Sequence, residues 1–226
     1  NYFDIFSEMI QNALDAIEQK HQQAKEKNED YEPKLWINIR EKTKEIQVID
    51  NGIGMNGATL RNFLTPNYSF NKQHGKTRGY KGVGATYLAY GFGAIKAETK
   101  QKRYHDAIQM ERGREWSEDT SGRIKFPEAE YIKPFSKELK KESSGTLVEI
   151  KLSGLDGERT KDLRYWGTNN ATTWGLALRI KTPLGGTYKA KKPDYDLKTT
   201  ITLERSDGTV DKDPDVENEY LWPEFT

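Results

Sequence analysis

The 226-residue chain carries 36 Lys and Arg against 35 Asp and Glu, a formal net charge of +1, and it has no cysteine. That length can bury a core without covalent staples, while the missing cysteines exclude disulfides and thiolate metal sites, and the balanced charge excludes a global attraction to nucleic acid or anionic membrane. No apolar run reaches the length of a membrane span and no signal pattern opens the chain, so a soluble, cytoplasmic protein with no membrane partner is expected. Starting at Asn1 without Met, the sequence reads as a piece of a longer protein.

The first predicted element is a helix around "EMIQNALDAIEQ", residues 8–19. Phe6, Met9, Ile10, Ala13, Leu14 and Ile17 form an apolar stripe, and Glu8, Asn12 and Asp15 share the opposite side at spacings of four and three. A polar face of this kind ordinarily meets water, so the stretch alone leaves its purpose open. Pro33 closes the polar segment 20–34, and "LWINIREKTKEIQVIDNG" then alternates as a hairpin. A helix at 57–64, a polar loop to about Arg78 and a small-residue helix, "VGATYLAYGFGAI", follow. Strands are predicted at 94–99, 105–112, 122–126 and 145–152, then a helix near 160–181, a turn at "PLGG" and a hairpin in "TTITLERSDGTVDKD". No internal repeat or low-complexity tract is visible.

Three clusters stand out: the polar line of the first helix; "VIDNGIGM", where a strand runs into Asp50, Gly52, Gly54 and Met55; and "RGYKGVGATYLAYGFG", with glycines 79, 82 and 84 opening a helix. Glycines after a strand commonly mark a turn. A G-x-x-G-x-G loop at a helix N-terminus suits either an anion cradle or close packing.

In order and spacing the clusters resemble the GHKL ATPases, which include gyrase, MutL proteins, ninety-kilodalton heat-shock chaperones, MORC proteins and histidine kinases. Glu8, Asn12, Asp15 and Ala16 resemble the family's N box, residues 50–55 its first glycine box and residues 79–84 its second; Gly145-Thr146 sits where the family has its adenine-side threonine. The resemblance covers residues 1–152. It implies an α+β fold, a two-layer sandwich (Bergerat fold) of a mostly antiparallel mixed sheet with helices on one face. The ATP-binding domain is expected over 1–185 with a lid at about 56–78, and residues 186–226 as a sheet extension or the start of a following domain.

Each matched residue inherits a role from the resemblance. Asp50 accepts from the adenine amino group with Thr146 assisting, which favours ATP over GTP, because guanine would set a carbonyl against a carboxylate. Asn12 ligates the Mg²⁺ that bridges the phosphates. Glu8 orients or deprotonates the attacking water. Asp15 anchors the nearby loop or backbone, Ala16 joins the ATP-binding residues of the N box, Gly52 and Gly54 let the chain pass close to the base, and Met55 packs on it. Asn62 falls in register with the chaperone pattern in "MNGATLRNFL". The backbone of Gly79, Gly82, Val83 and Gly84 wraps the phosphates with Lys81 in reach. The lid holds His74, Lys76 and Arg78, which could face phosphate when it shuts, although most loop charges of this kind are simply solvated. Its "GKT" at 75–77 is no P-loop, since Phe70 stands where the leading glycine belongs.

The implied function is Mg-dependent ATP hydrolysis to ADP and phosphate in a larger protein. It works as a switch, with lid closure, a homodimer formed through the N-terminal and lid regions, and a further C-terminal region as partners. A binding scaffold or sensor without turnover is the alternative, which Glu8 argues against. "GVGATYLAYGFGAIKAETK" is similar to the chaperone branch and "TTWGLALRIKTPLGGTY" to MORC-like and prokaryotic defence ATPases, while Asp15-Ala16 departs from the histidine kinases. A nucleic-acid module, drawing on aromatics among lysines over 161–191, is not indicated at this net charge.

Overall fold

The computed structural model describes residues 1–65, 83–154, 160, 162–165, 167–185 and 194–216. Helix α1 (Asp4–Lys27) has Asp4 in its first turn and Lys25 and Lys27 in its last, the signs that complement the helix dipole. It ends where Asn28 turns left-handed at φ 55° and the Glu29 N–H bonds the Ala24 carbonyl at 2.9 Å. Strands β1 (Lys34–Arg40) and β2 (Glu45–Asp50) follow as the predicted hairpin, then α2 (Gly57–Phe63), α3 (Val83–Tyr90), β3 (Ala94–Gln101), β4 (Tyr104–Glu111) and α4 (Gly113–Glu118). The rest comprises β5 (Glu130–Ile132), α5 (Lys137–Lys141), β6 (Ser144–Lys151), α6 (Ala171–Lys181), β7 (Lys198–Glu204) and β8 (Val210–Val216).

The strands make one sheet in the order β5-β4-β3-β6-β2-β1-β7-β8. Every neighbouring pair is antiparallel except β1 with β7, which run parallel. This is the expected α+β arrangement, and it puts the first helix against the middle of the sheet. Leu35, Ile37 and Ile39 of β1, Ile46 and Val48 of β2, and Val148 and Ile150 of β6 point to one face. There they close a single core with Phe6, Met9, Ile10, Ala13, Leu14 and Ile17 of α1. Period 2 in the strands and period 3.6 in the helix meet in that layer. Trp174 of α6, fully buried, extends the core against Phe6 with ring centroids 5.4 Å apart.

The other face is largely polar. Glu149, 4% exposed, accepts from Lys96 Nζ at 2.7 Å, from an Arg40 guanidinium nitrogen at 3.3 Å and from Gln47 Nε2. The short α5 covers part of this face through Leu139, packed on Ile49 and Leu147.

Three expected elements differ. Residues 122–126 form no strand: the Asp119 carboxylate binds the N–H groups of Ser121 (2.8 Å) and Ile124 (2.7 Å), which curls the segment, and the edge strand is β5 instead. The helix expected near 160–181 begins only at Ala171. A capping box sets that start, with the Asn170 side chain on the Thr173 N–H and the Thr173 side chain on the Asn170 N–H. The small-residue helix expected after the second glycine cluster ends at Tyr90, its last α-helical bond running from the Gly91 N–H to the Tyr87 carbonyl at 2.8 Å, and Ala94 already opens β3. Helices α4 and α5 had no counterpart in the sequence reading.

Candidate nucleotide site

Glu8, Asn12, Asp15 and Ala16 lie on one side of α1, all half-buried, while the apolar stripe is buried. The polar line therefore faces neither the core nor bulk water. Two backbone segments stand against it. The first is the turn after β2: a Cβ on Gly52 would stand 2.5 Å from the Ala16 carbonyl carbon and 2.7 Å from the Ile17 nitrogen, and the Ile53 N–H bonds the Ala16 carbonyl at 3.1 Å. Only glycine lets the turn lie this close to the helix backbone. The second is the first turn of α3: a Cβ on Gly84 would stand 2.1 Å from Glu8 Oε2, so the carboxylate rests directly on that backbone.

Asp50 ends β2 directly opposite Thr146 on β6, which in turn faces Thr99 on β3. Its carboxylate is 4% exposed and accepts the Gly52 N–H at 2.8 Å. Burial pushes its pKa up to about 7, against the opposing pull of the Gly52 and Thr146 backbone N–H groups and the charge of Lys20. Glu8 is also held above the ordinary carboxylate range, first by burial and then by Asp4 one turn earlier. Two carboxylates thus sit in polar but poorly solvated surroundings on neighbouring elements.

The glycine turn is held from several sides. Gly54 adopts φ 67° with the Lys100 carbonyl 2.2 Å from where its Cβ would be. The Met55 N–H donates to Thr99 Oγ1 at 2.7 Å, and that hydroxyl donates to the Gly145 carbonyl at 3.1 Å. Gln101 Nε2 donates to the Ile53 carbonyl at 3.1 Å, and Ser144 Oγ to the Gly52 carbonyl at 2.6 Å. Asp15 accepts from Gln11 Nε2 at 2.8 Å, along the helix. Asn62 lies in the last turn of α2, its carbonyl accepting the Leu64 and Thr65 N–H groups. Gly79, Lys81 and Gly82, like His74, Lys76 and Arg78, fall outside the described residues, as does the side chain of Val83.

Sequence reasoning missed Thr99, Gln101, Asn51 and Lys20. Thr99 shared a face with Ile95 and Ala97 in the β3 alternation, and Lys20 continues the four-residue steps from Glu8 through Asn12 and Ala16; both signals were present but unremarkable without the fold. A cavity of about 310 Å³ opens on the opposite sheet face, lined by Asn38, Arg40, Gln47, Ser136, Lys137 and Thr202 among others. Its polar groups largely bond one another, Gln47 accepting from Asn38 at 3.0 Å and Arg40 at 3.2 Å, so it competes poorly with the α1 face as the site.

Residues 2–153 match the family model described as histidine kinase-, DNA gyrase B-, and HSP90-like ATPase. The chain belongs to that family. The matched span contains α1, the Asp50 turn, α3 and Thr146, that is, every element just described around the polar line. This GHKL domain is thus an ATP-binding module whose ligand is a nucleotide. No curated protein matches its sequence. Among the described residues no helix is long and apolar enough to cross a membrane.

Proposed function

We propose that the GHKL domain binds Mg-ATP between α1 and the Asp50–Met55 turn, hydrolyses it to ADP and phosphate, and uses the cycle as a conformational switch. The observation that carries this reading is the Glu8 carboxylate, held against the first turn of α3 at Gly84 and one turn of α1 before Asn12. A carboxylate raised by burial and placed beside a phosphate is a serviceable general base; near a polyphosphate it has little use otherwise, since like charges repel. Asp50 takes the adenine amino group on its buried carboxylate with Thr146 alongside, and Ala16, Gly52, Gly54 and Met55 bound the base. Asp15 steadies the loop, while Gly79, Lys81, Gly82, Val83 and Gly84 are assigned to the phosphates and Asn62 to the lid side.

Magnesium fits this site in one way. Among the described residues no three acidic or histidine side chains are grouped to cage a metal; the residue assigned to the ion is Asn12, which would hold it through its neutral side-chain oxygen. A single neutral oxygen suits Mg²⁺, which readily keeps part of its hydration shell and, when bound, would neutralise charge on the phosphates. Glu8 then takes the proton from the attacking water. Lid closure over 56–78 and pairing of two N-terminal segments complete the switch, which serves a further C-terminal region. The ATP-binding domain is assigned to residues 1–185, with the β7–β8 hairpin as its extension.

Calorimetric titration of the chain with ATP and with GTP in the presence of Mg²⁺ tests the reading. ATP is expected to bind at least about 100-fold more tightly, because guanine leaves the Asp50 carboxylate facing an acceptor. Equal affinities would remove Asp50 from base recognition.

A further inference from the structure

Lys20 is the one lysine of α1 that reaches back into the polar line, and its contacts come from three other parts of the chain. Its Nζ donates to the Asn51 carbonyl at 2.8 Å and to Ser143 Oγ at 3.3 Å, and it stands 4.6 Å from the centroid of the Tyr31 ring. Holding a long, flexible side chain in this way costs conformational entropy that an exposed lysine would keep. The carbonyl it grips is rigid. Asn51 is 2% exposed, and its side chain accepts from the Tyr31 hydroxyl at 3.0 Å and the Lys34 N–H at 2.8 Å while donating to the Glu32 carbonyl at 2.9 Å.

We propose that Lys20 is a positioning residue for base recognition, its ammonium pinning the Asp50–Gly52 turn to α1 and supplying the positive charge that the Asp50 carboxylate faces. The inference rests on the ATP reading of the site and adds to it the group that sets the state of the recognition carboxylate. Glu142 and Asp50 attract the ammonium and Lys34 repels it. Lys34 is itself tied to Glu142 at 3.2 Å and Glu32 at 3.3 Å, so its charge is largely spoken for. Among the described charged side chains, Lys20 is the one whose charge acts on Asp50. Burial drives the carboxyl and the ammonium each toward neutrality, and their mutual attraction opposes both shifts. Without Lys20 the Asp50 carboxyl holds its proton at neutral pH and offers adenine a weaker acceptor.

The test follows ATP affinity from pH 6 to 9 by calorimetry in wild type, Lys20→Gln, Lys20→Met and Lys20→Arg. In parallel, the ionisation of Asp50 is read without nucleotide from its side-chain ¹³C shift. Wild-type affinity is expected to fall as pH drops through about 7. In Lys20→Gln and Lys20→Met both the affinity midpoint and the ¹³C midpoint move up by roughly one pH unit, with affinity recovering at pH 9, and Lys20→Arg behaves as wild type. Should the methionine variant fail to fold, the glutamine variant, which is shorter by one atom but keeps a polar donor and removes the charge, decides. Unmoved midpoints, with affinity lost equally at every pH, would overturn the proposal. A wild type that binds no ATP at any pH, together with a ¹³C midpoint that still moves in Lys20→Gln, would reject the ATP reading while upholding the action of Lys20 on Asp50.

Discussion

Asp50→Asn is expected to abolish detectable ATP binding and, in the same protein, to raise stability above pH 7. The binding loss follows from which atoms are already engaged. Backbone N–H groups of Gly52 and Thr146 draw oxygen toward themselves, so in the variant the amide oxygen stays with them and the NH₂ group takes the place that faces the base. A donor then meets the adenine amino donor, and a buried mismatch of this kind costs at least about 100-fold in affinity.

The stability gain follows from the sign of the pKa shift. The Asp50 carboxyl lies at about 7 in the folded protein, above its ordinary value of 3.8. The folded state therefore holds its proton more tightly than the unfolded chain, a contribution fully present below about pH 4 and lost as pH rises through 7. At pH 8 wild type carries the whole cost of a buried carboxylate, at most of the order of 4 kcal/mol for a shift of this size. Asparagine removes that cost and adds about 1–3 kcal/mol for its unpaired NH₂. The expected net is a gain of about 1–2 kcal/mol, a rise of a few degrees in the melting temperature. The difference shrinks as pH falls toward 4, and thermal melts at pH 8 and pH 5 check it. A variant less stable than wild type at pH 8 would mean that the carboxylate is better solvated than its burial implies.

Glu8→Gln and Glu8→Ala carry the second large effect. Each is expected to bind ATP at least as tightly as wild type, since a negative charge beside the phosphates is removed. Each is expected to hydrolyse it about 10² to 10⁴ times more slowly, the usual worth of a positioned general base. Single-turnover measurements with enzyme in excess separate the two, because they report the chemical step without product release. The contact with Gly84 makes the glutamine variant the cleaner one: its side chain keeps the shape that rests on the first turn of α3. Hydrolysis at the wild-type rate in Glu8→Gln would take Glu8 out of the chemistry.

What could be read from the sequence was what local periodicity records. The two faces of α1 were legible because Glu8, Asn12 and Asp15 recur on one side and Phe6 through Ile17 on the other. A tight glycine turn after β2 was legible because Gly52 and Gly54 follow the strand end, but that Gly52 packs on the Ala16–Ile17 backbone of α1 was not, since the helix and the turn meet only in the fold. The β7–β8 hairpin was legible from its Asp207-Gly208 turn, where Gly208 takes φ 85°. Helix α5 was not, because "KELKK" has no apolar stripe. Its position is fixed from afar by the buried Glu98 carboxylate, which accepts the Phe135 and Ser136 N–H groups at 2.7 Å each. The late start of α6 was hidden in a capping box that uses Thr173 where Glu or Gln is usual. The parallel pairing of β1 with β7 joins residues about 160 apart and leaves no local trace. Lys20 and Thr99 were missed for the same reason: what makes them part of the site is the partner across the fold, the Asn51 carbonyl for one and the Met55 N–H for the other.

The claim that the polar line of α1 faces a nucleotide is tested most directly by titrating Mg-ATP into ¹⁵N-labelled protein and mapping which backbone amides move. The account predicts shifts at Asn12, Ala16, Gly52, Ile53, Gly84 and Thr146, with Asn38, Gln47 and Thr202 beside the cavity on the opposite sheet face unchanged. Shifts confined to that opposite face, or none at saturating ATP, would contradict it.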